Sequence, residues 1–108
     1  MPFLSYTILI ISTLLEMKSA ILPYLAEYLG TFFFILVIFA SNGNAFAVGA
    51  SLAAVIYLVS EHSGAHVNPV VSMVMHMNGT LTQGNLLYYI VAQFLGAFSA
   101  FYAYKMIR

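Results

Sequence analysis

The side chains able to do chemistry in this chain are concentrated in one stretch, Ser63-Gly64-Ala65-His66-Val67-Asn68-Pro69-Val70, which runs on through Val71 and Ser72 to Asn78-Gly79. Asn68 suits a helix N-cap. Pro69 suits the first helical position, where its missing N–H costs nothing, and Gly79 suits the left-handed position just past a helix end. The spacing predicts a short helix from Pro69 to Asn78, about ten residues or about 15 Å long, half the thickness of a bilayer's hydrocarbon core. A half-length apolar helix preceded by irregular polar backbone is what a re-entrant segment looks like, because non-helical backbone at membrane depth survives only where it lines water or protein. The free amides of such a helix give its inner end a positive partial charge, which repels cations and orients the dipole of a water molecule. The Asn68 side chain adds a donor there. The carbonyls of Gly64, Ala65 and His66, left unpaired by the irregular run, are placed to form an acceptor ladder leading to that donor.

Other chemistries have less to hold. His62 and His66 are four apart beside Glu61, so a metal site can be drawn; but the run before Asn68 need not be helical, and His66 is better used by the loop, so no metal is expected. His76 near the end of the short helix favours the negative end of its dipole. Met73, Met75 and Met77 are spaced by two, which scatters them around a helix and makes them packing rather than copper ligands. Asn78-Gly79-Thr80 matches a glycosylation acceptor and is given no role. No paired carboxylates, activated serine or phosphate loop stand out, so neither an enzyme nor a cofactor is expected.

The elements that hold this stretch are apolar spans. From about residue 19 to 40 the chain is apolar except for Glu27, long enough to cross as a helix. Ser41-Asn42-Gly43-Asn44 is a turn cluster, and Ala45 to about Ser60 forms a returning span. A third runs from about Asn85 to Tyr104, with Thr80 and Thr82 as candidate caps and Lys105 and Arg108 able to snorkel. Small residues recur every fourth position (Ala26 and Gly30; Gly49 and Ala53; Ala50 and Ala54; Ala92, Gly96 and Ala100), which predicts close helix packing. The first apolar run, Phe3 to Leu15, reaches only about 20 Å as a helix. Glu16 and Lys18 close it, so residues 1–18 read as an interfacial segment or an extension of the next span, with a signal-peptide core as the rival, and residues 19–108 as one membrane domain.

Composition agrees with lipid as the solvent: 63% of the 108 residues are hydrophobic and 6% charged, against roughly 25% charged in soluble domains. Net charge is zero with no basic run, which argues against a nucleic-acid partner. Cysteine is absent, which removes disulfides and thiolate chemistry. The expected fold class is an all-α, multi-pass integral membrane protein with three transmembrane helices and one re-entrant half-helix.

Ser63 to Val70 resembles the first signature loop of the aquaporin and glyceroporin, or major intrinsic protein, family. Ala26-Glu27-Tyr28-Leu29-Gly30-Thr31-Phe32 resembles that family's first-helix motif and Ala92-Gln93-Phe94-Leu95-Gly96-Ala97 its third-helix motif, in the right order over about residues 24 to 104. The resemblance implies an aquaporin-like half fold in which Asn68 is the pore asparagine beside Pro69, Gly64, Ala65 and His66 form the carbonyl ladder, and Glu27 is a buried carboxylate bracing the loop. A carboxylate at a helix centre costs about 2.5–3.5 kcal/mol on insertion scales, so Glu27 needs donors, for which His66 and the loop amides are candidates. Val70 stands where the family usually has alanine, and Val48, at the position resembling the selectivity constriction, where it commonly has an aromatic residue. The family's pore is built from two inverted repeats, and the second is not among these residues; an antiparallel pair of identical chains, or another half-channel, would complete it. Lys18 on one side against Lys105 and Arg108 on the other leaves a nearly balanced charge bias that permits both orientations. Two functions follow: a channel passing water or small neutral solutes such as glycerol, or a non-conducting membrane fragment that binds or modulates other membrane helices.

Overall fold

A computed structural model describes residues 2–108 as four helices joined by short connections. The first, α1 (Pro2–Ala40), is continuous through Glu16 and Lys18, so the expected boundary after residue 18 falls inside a helix. Residues 3–20 of α1 are almost entirely exposed, and its buried positions, Ala26, Glu27, Gly30 and Thr31, all lie beyond Pro23. The turn at 41–44 reverses the chain. Asn42 and Gly43 have φ of +54° and +71°, and the Asn44 side chain accepts from the Ala47 amide to cap α2 (Ala45–Ser63). Helix α2 runs three residues past the expected end and stops where Gly64, at φ +86°, donates its N–H to the Ser60 carbonyl; glycine takes that left-handed conformation without a side-chain clash.

Helix α3 (Pro69–Met77) is the short helix, capped at its start by Asn68. Helix α4 (Gln83–Ile107) is capped by Thr82, whose hydroxyl accepts from the Asn85 amide. Three of the four helices, α1, α2 and α4, are long and apolar enough to cross a bilayer. Helix α1 is the centre of the bundle. It packs against α4 on one side and α2 on the other, while α3 leans on α4. Tyr24 meets Asn85 and Tyr89, and Phe39 meets Phe101 and Tyr104, so α1 and α4 run parallel. They approach closely at Gly96, which lies against the Tyr28 backbone. Gly30 makes the matching approach to α2, with Val55 and Val67 where a Cβ would project.

The small-residue pattern divides. Ala26, Gly30, Ala92, Gly96 and Ala100 are buried between helices, as packing by close backbone approach requires. On α2, however, Gly49, Ala50, Ala53 and Ala54 face outward, and the helix packs through Ser51 and Val55 instead. A recurring small residue marks a helix face, and the partner that face meets is set by the arrangement of all the helices.

Candidate functional site

The loop between α2 and α3 is irregular because of its own backbone. Ala65 and Val67 have φ of +51° and +44°, a region that costs a side chain about 1–3 kcal/mol per residue and is worst for a β-branched one. Something must hold it, and that is Glu27. Its side chain is fully buried. One carboxylate oxygen accepts from the Val67 amide at 2.7 Å and the Gln93 side-chain amide at 2.8 Å. The other accepts from the Ser63 hydroxyl at 2.6 Å and the His66 amide at 3.0 Å. Four donors therefore converge on one carboxylate that has no cation beside it among the described residues. Hydrogen bonds to an ionised acceptor contribute about 1.5–3 kcal/mol each, which together outweigh both the cost of the carboxylate at membrane depth and the strain of the two residues it pins.

Of the donors expected for Glu27, the loop amides are present, and His66 contributes through its backbone rather than its ring. The imidazole turns the other way: Nδ1 lies 2.9 Å from the Ser72 hydroxyl, and the ring tilts against Tyr89 with centroids 5.1 Å apart. Tyr89 in turn donates to the Ser63 carbonyl at 2.8 Å and ties α4 to the end of α2. The Gln93 amide, 1% exposed, also reaches the Ser72 hydroxyl at 2.8 Å. Ser63, Ser72, Tyr89 and Gln93 were given no role from sequence. The signal was present in part, since a glutamine in an apolar span and a serine four residues after an N-cap both require partners.

The Asn68 side-chain oxygen accepts from the Val70 amide at 2.8 Å. That orientation turns the amide nitrogen away from α3, and neither of its hydrogens has a partner among the described residues. Asn68 is exposed and, with Val67 and Pro69, lines a cleft of about 200 Å³ whose other walls are Thr31, Phe34 and Ile35 of α1 and Gln93, Phe94 and Ala97 of α4. Among the described residues, none donates to the carbonyls of Gly64, Ala65 or His66. Gly64, Ala65 and His66 do not themselves line the cleft, whereas Asn68 sets its side chain there at the positive end of a helix. Val70 is 69% exposed on the first turn of α3. Val48 sits near the start of α2, at the opposite end of that helix from the loop, and does not line the cleft. At the far end of α3, His76 donates from Nδ1 to the Leu81 carbonyl at 2.8 Å and ties the half-helix to the approach of α4. No three histidine or carboxylate side chains among the described residues converge on one point that could hold a metal.

The cleft continues. Along the parallel α1 and α4 it opens into an apolar groove between Ile35, Phe39, Ala97, Phe98, Phe101 and Tyr102. Helix α3 packs beside the first half of α4, with its N-terminus at the level of Gln93. From Gln93 to Tyr102 is about 14 Å of helix, the same as the length of α3.

The profile of the Major intrinsic protein family matches residues 14–107. Among curated proteins, the chain is similar to glycerol uptake facilitator protein-like 6 of Lactiplantibacillus plantarum, with 33% identity over 90 residues, 76% of this chain and 42% of the relative. It is similar to aquaglyceroporin AqpS of Rhizobium meliloti, 41% identical over 54 residues, 50% of this chain and 23% of the relative. It is also similar to human aquaporin-9, 38% identical over 88 residues, 68% of this chain and 30% of the relative. The chain therefore spans less than half the length of each of these relatives. No solved structure matches it significantly.

Proposed function

We propose that this chain, which belongs to the major intrinsic protein family, supplies one half of a membrane pore for water or small neutral solutes such as glycerol, completed when a second, inverted half-fold packs against it. The observation that carries this reading is the groove. Helix α3 packs on α4, and at its Asn68 tip begins an apolar trough between α1 and α4 that runs on to Phe101 and Tyr102. A second half-helix entering from the opposite side fits that trough end to end with α3, bringing its own N-terminus to the same level. Two positive helix ends would then face one another at mid-membrane, where they exclude cations and protons while the asparagine amides and loop carbonyls replace a solute's hydrogen bonds. In this reading Asn68 and Pro69 form the tip, Val70 backs it, Gly64, Ala65 and His66 supply the acceptors, Glu27 braces them, and Val48 narrows the outer mouth. The second half-fold is a copy of this chain or an equivalent unit. Residues 2–18 then lie along the membrane interface by bending at Pro23, whose missing N–H removes one helical hydrogen bond.

Liposomes carrying the purified chain, followed by stopped-flow light scattering under sucrose and then glycerol gradients, test this directly. Native vesicles are expected to exceed protein-free vesicles in permeability, and Asn68→Leu at equal insertion to abolish the excess. Native vesicles indistinguishable from empty ones, despite verified insertion, would overturn the self-assembled pore and leave a non-conducting, helix-binding role.

A further inference from the structure

The hydrogen bonds behind the loop have a direction, and it can be followed from one end to the other. Glu27 as a carboxylate only accepts. The Gln93 side chain must therefore turn its nitrogen toward it, and the cost of that choice is visible: the Gln93 amide oxygen is buried without a partner. The same nitrogen has a second hydrogen, directed at the Ser72 oxygen 2.8 Å away. Ser72 is fully buried and accepts from Gln93; its own hydroxyl hydrogen also needs an acceptor, and among the described residues the His66 Nδ1, 2.9 Å away, is the one its side chain meets. Nδ1 must then offer its lone pair, which places the imidazole proton on Nε2. Nε2 lies over Gly64, 3.2 Å from where a Cβ would project there, and has no partner among the described residues. His66 is part-buried.

We propose that Ser72, itself held by Gln93, is a positioning residue that fixes His66 as its Nε2–H tautomer, so that one N–H donor stands over Gly64, at the start of the carbonyl run of Gly64, Ala65 and His66, and binds a hydroxyl oxygen of water or a polyol. The arrangement matches the ligand's chemistry. A hydroxyl group both donates and accepts, and the loop carbonyls alone can satisfy only the donating half. The opposite tautomer would present a second acceptor at the same place and repel the oxygen. This deepens the pore reading above, and its solute half rests on that reading.

The test is nitrogen NMR on the full chain, labelled at histidine, in lipid nanodiscs, with the His66 signals assigned by their loss in His66→Gln. In the native chain the one-bond N–H coupling is expected on Nε2 alone, with Nδ1 carrying the signature of a hydrogen-bonded, unprotonated nitrogen. A proton on Nδ1 overturns the proposal without any variant having to fold. In Ser72→Ala, Nδ1 loses its donor and a mixture of the two tautomers is expected; an unchanged single tautomer overturns the role of Ser72. Added glycerol is expected to move the Nε2–H signal of the native chain, and a signal that stays still overturns the solute contact. These readouts do not depend on flux. A silent permeability assay with the expected NMR result would count against the pore and not against the relay, whereas active permeability with the proton on Nδ1 would do the reverse.

Discussion

Replacing Glu27 by glutamine exchanges one carboxylate oxygen for an NH2 group and should release the loop. The amide nitrogen has to take the place of one carboxylate oxygen. If it replaces the oxygen facing Ser63 and His66, the Ser63 hydroxyl can turn to accept, but the His66 amide at 3.0 Å loses its acceptor. If it replaces the other, the Gln93 side chain can flip to offer its oxygen, but the Val67 amide at 2.7 Å is left unpaired. Either way one buried loop amide has no partner, at about 1–3 kcal/mol, and the three surviving bonds fall from charge-assisted to neutral strength, about 1 kcal/mol each. Against this, removing the buried charge recovers part of its insertion cost of about 2.5–3.5 kcal/mol. The net expectation is a loss of about 2–3 kcal/mol local to the loop, or a roughly 30- to 150-fold larger open population. Hydrogen exchange of the His66 and Val67 amides in nanodiscs, referenced to the helical amides around Thr31, reads that ratio. If both loop amides in Glu27→Gln remain as protected as in the native chain, Glu27 does not hold the loop and the argument from its four bonds is wrong.

Gly96→Ala should push α1 from α4, because the new Cβ collides with the Tyr28 carbonyl and lies 3.2 Å from both Phe32 N and Thr31 Cβ. Thermal melting in detergent should show a loss of about 1–3 kcal/mol, whereas Gly49→Ala, with nothing within 4 Å, should be neutral or up to about 1 kcal/mol stabilising. Gly64→Ala forces a side chain into φ +86° and toward His66 Nε2; a loss of about 1–2 kcal/mol is expected in the same melt. Tyr89→Phe removes the donor to the Ser63 carbonyl and should cost about 1–3 kcal/mol, checked by melting and by faster exchange at Gly64. Ala97→Trp fills the groove where its two parts meet; cross-linking in liposomes should show fewer paired chains while the melting temperature of the single chain is held.

The elements and the half-helix were legible in the sequence because they rest on local rules. A polar or proline residue at a helix boundary satisfies or removes orphan amides wherever it occurs, so Asn44, Asn68, Pro69, Gly79 and Thr82 mark their ends without knowledge of neighbours. Span length against bilayer thickness is similarly a property of the segment alone. Glu27 announced itself as a buried acceptor in need of donors by its cost. What supplied them was not legible, since Ser63, the loop amides and Gln93 reach it from positions up to 66 residues away. The outward turn of the α2 small residues, the use of the His66 ring on Ser72, and the open groove between α1 and α4 likewise depend on how all four helices settle together. The sequence by itself determined which segments are helical, where they stop and which residue types must find partners, because those follow from backbone hydrogen bonding and hydration within a few residues. Only the tertiary structure decided which partners they found and which face was left open, because those depend on the simultaneous packing of elements far apart in the chain.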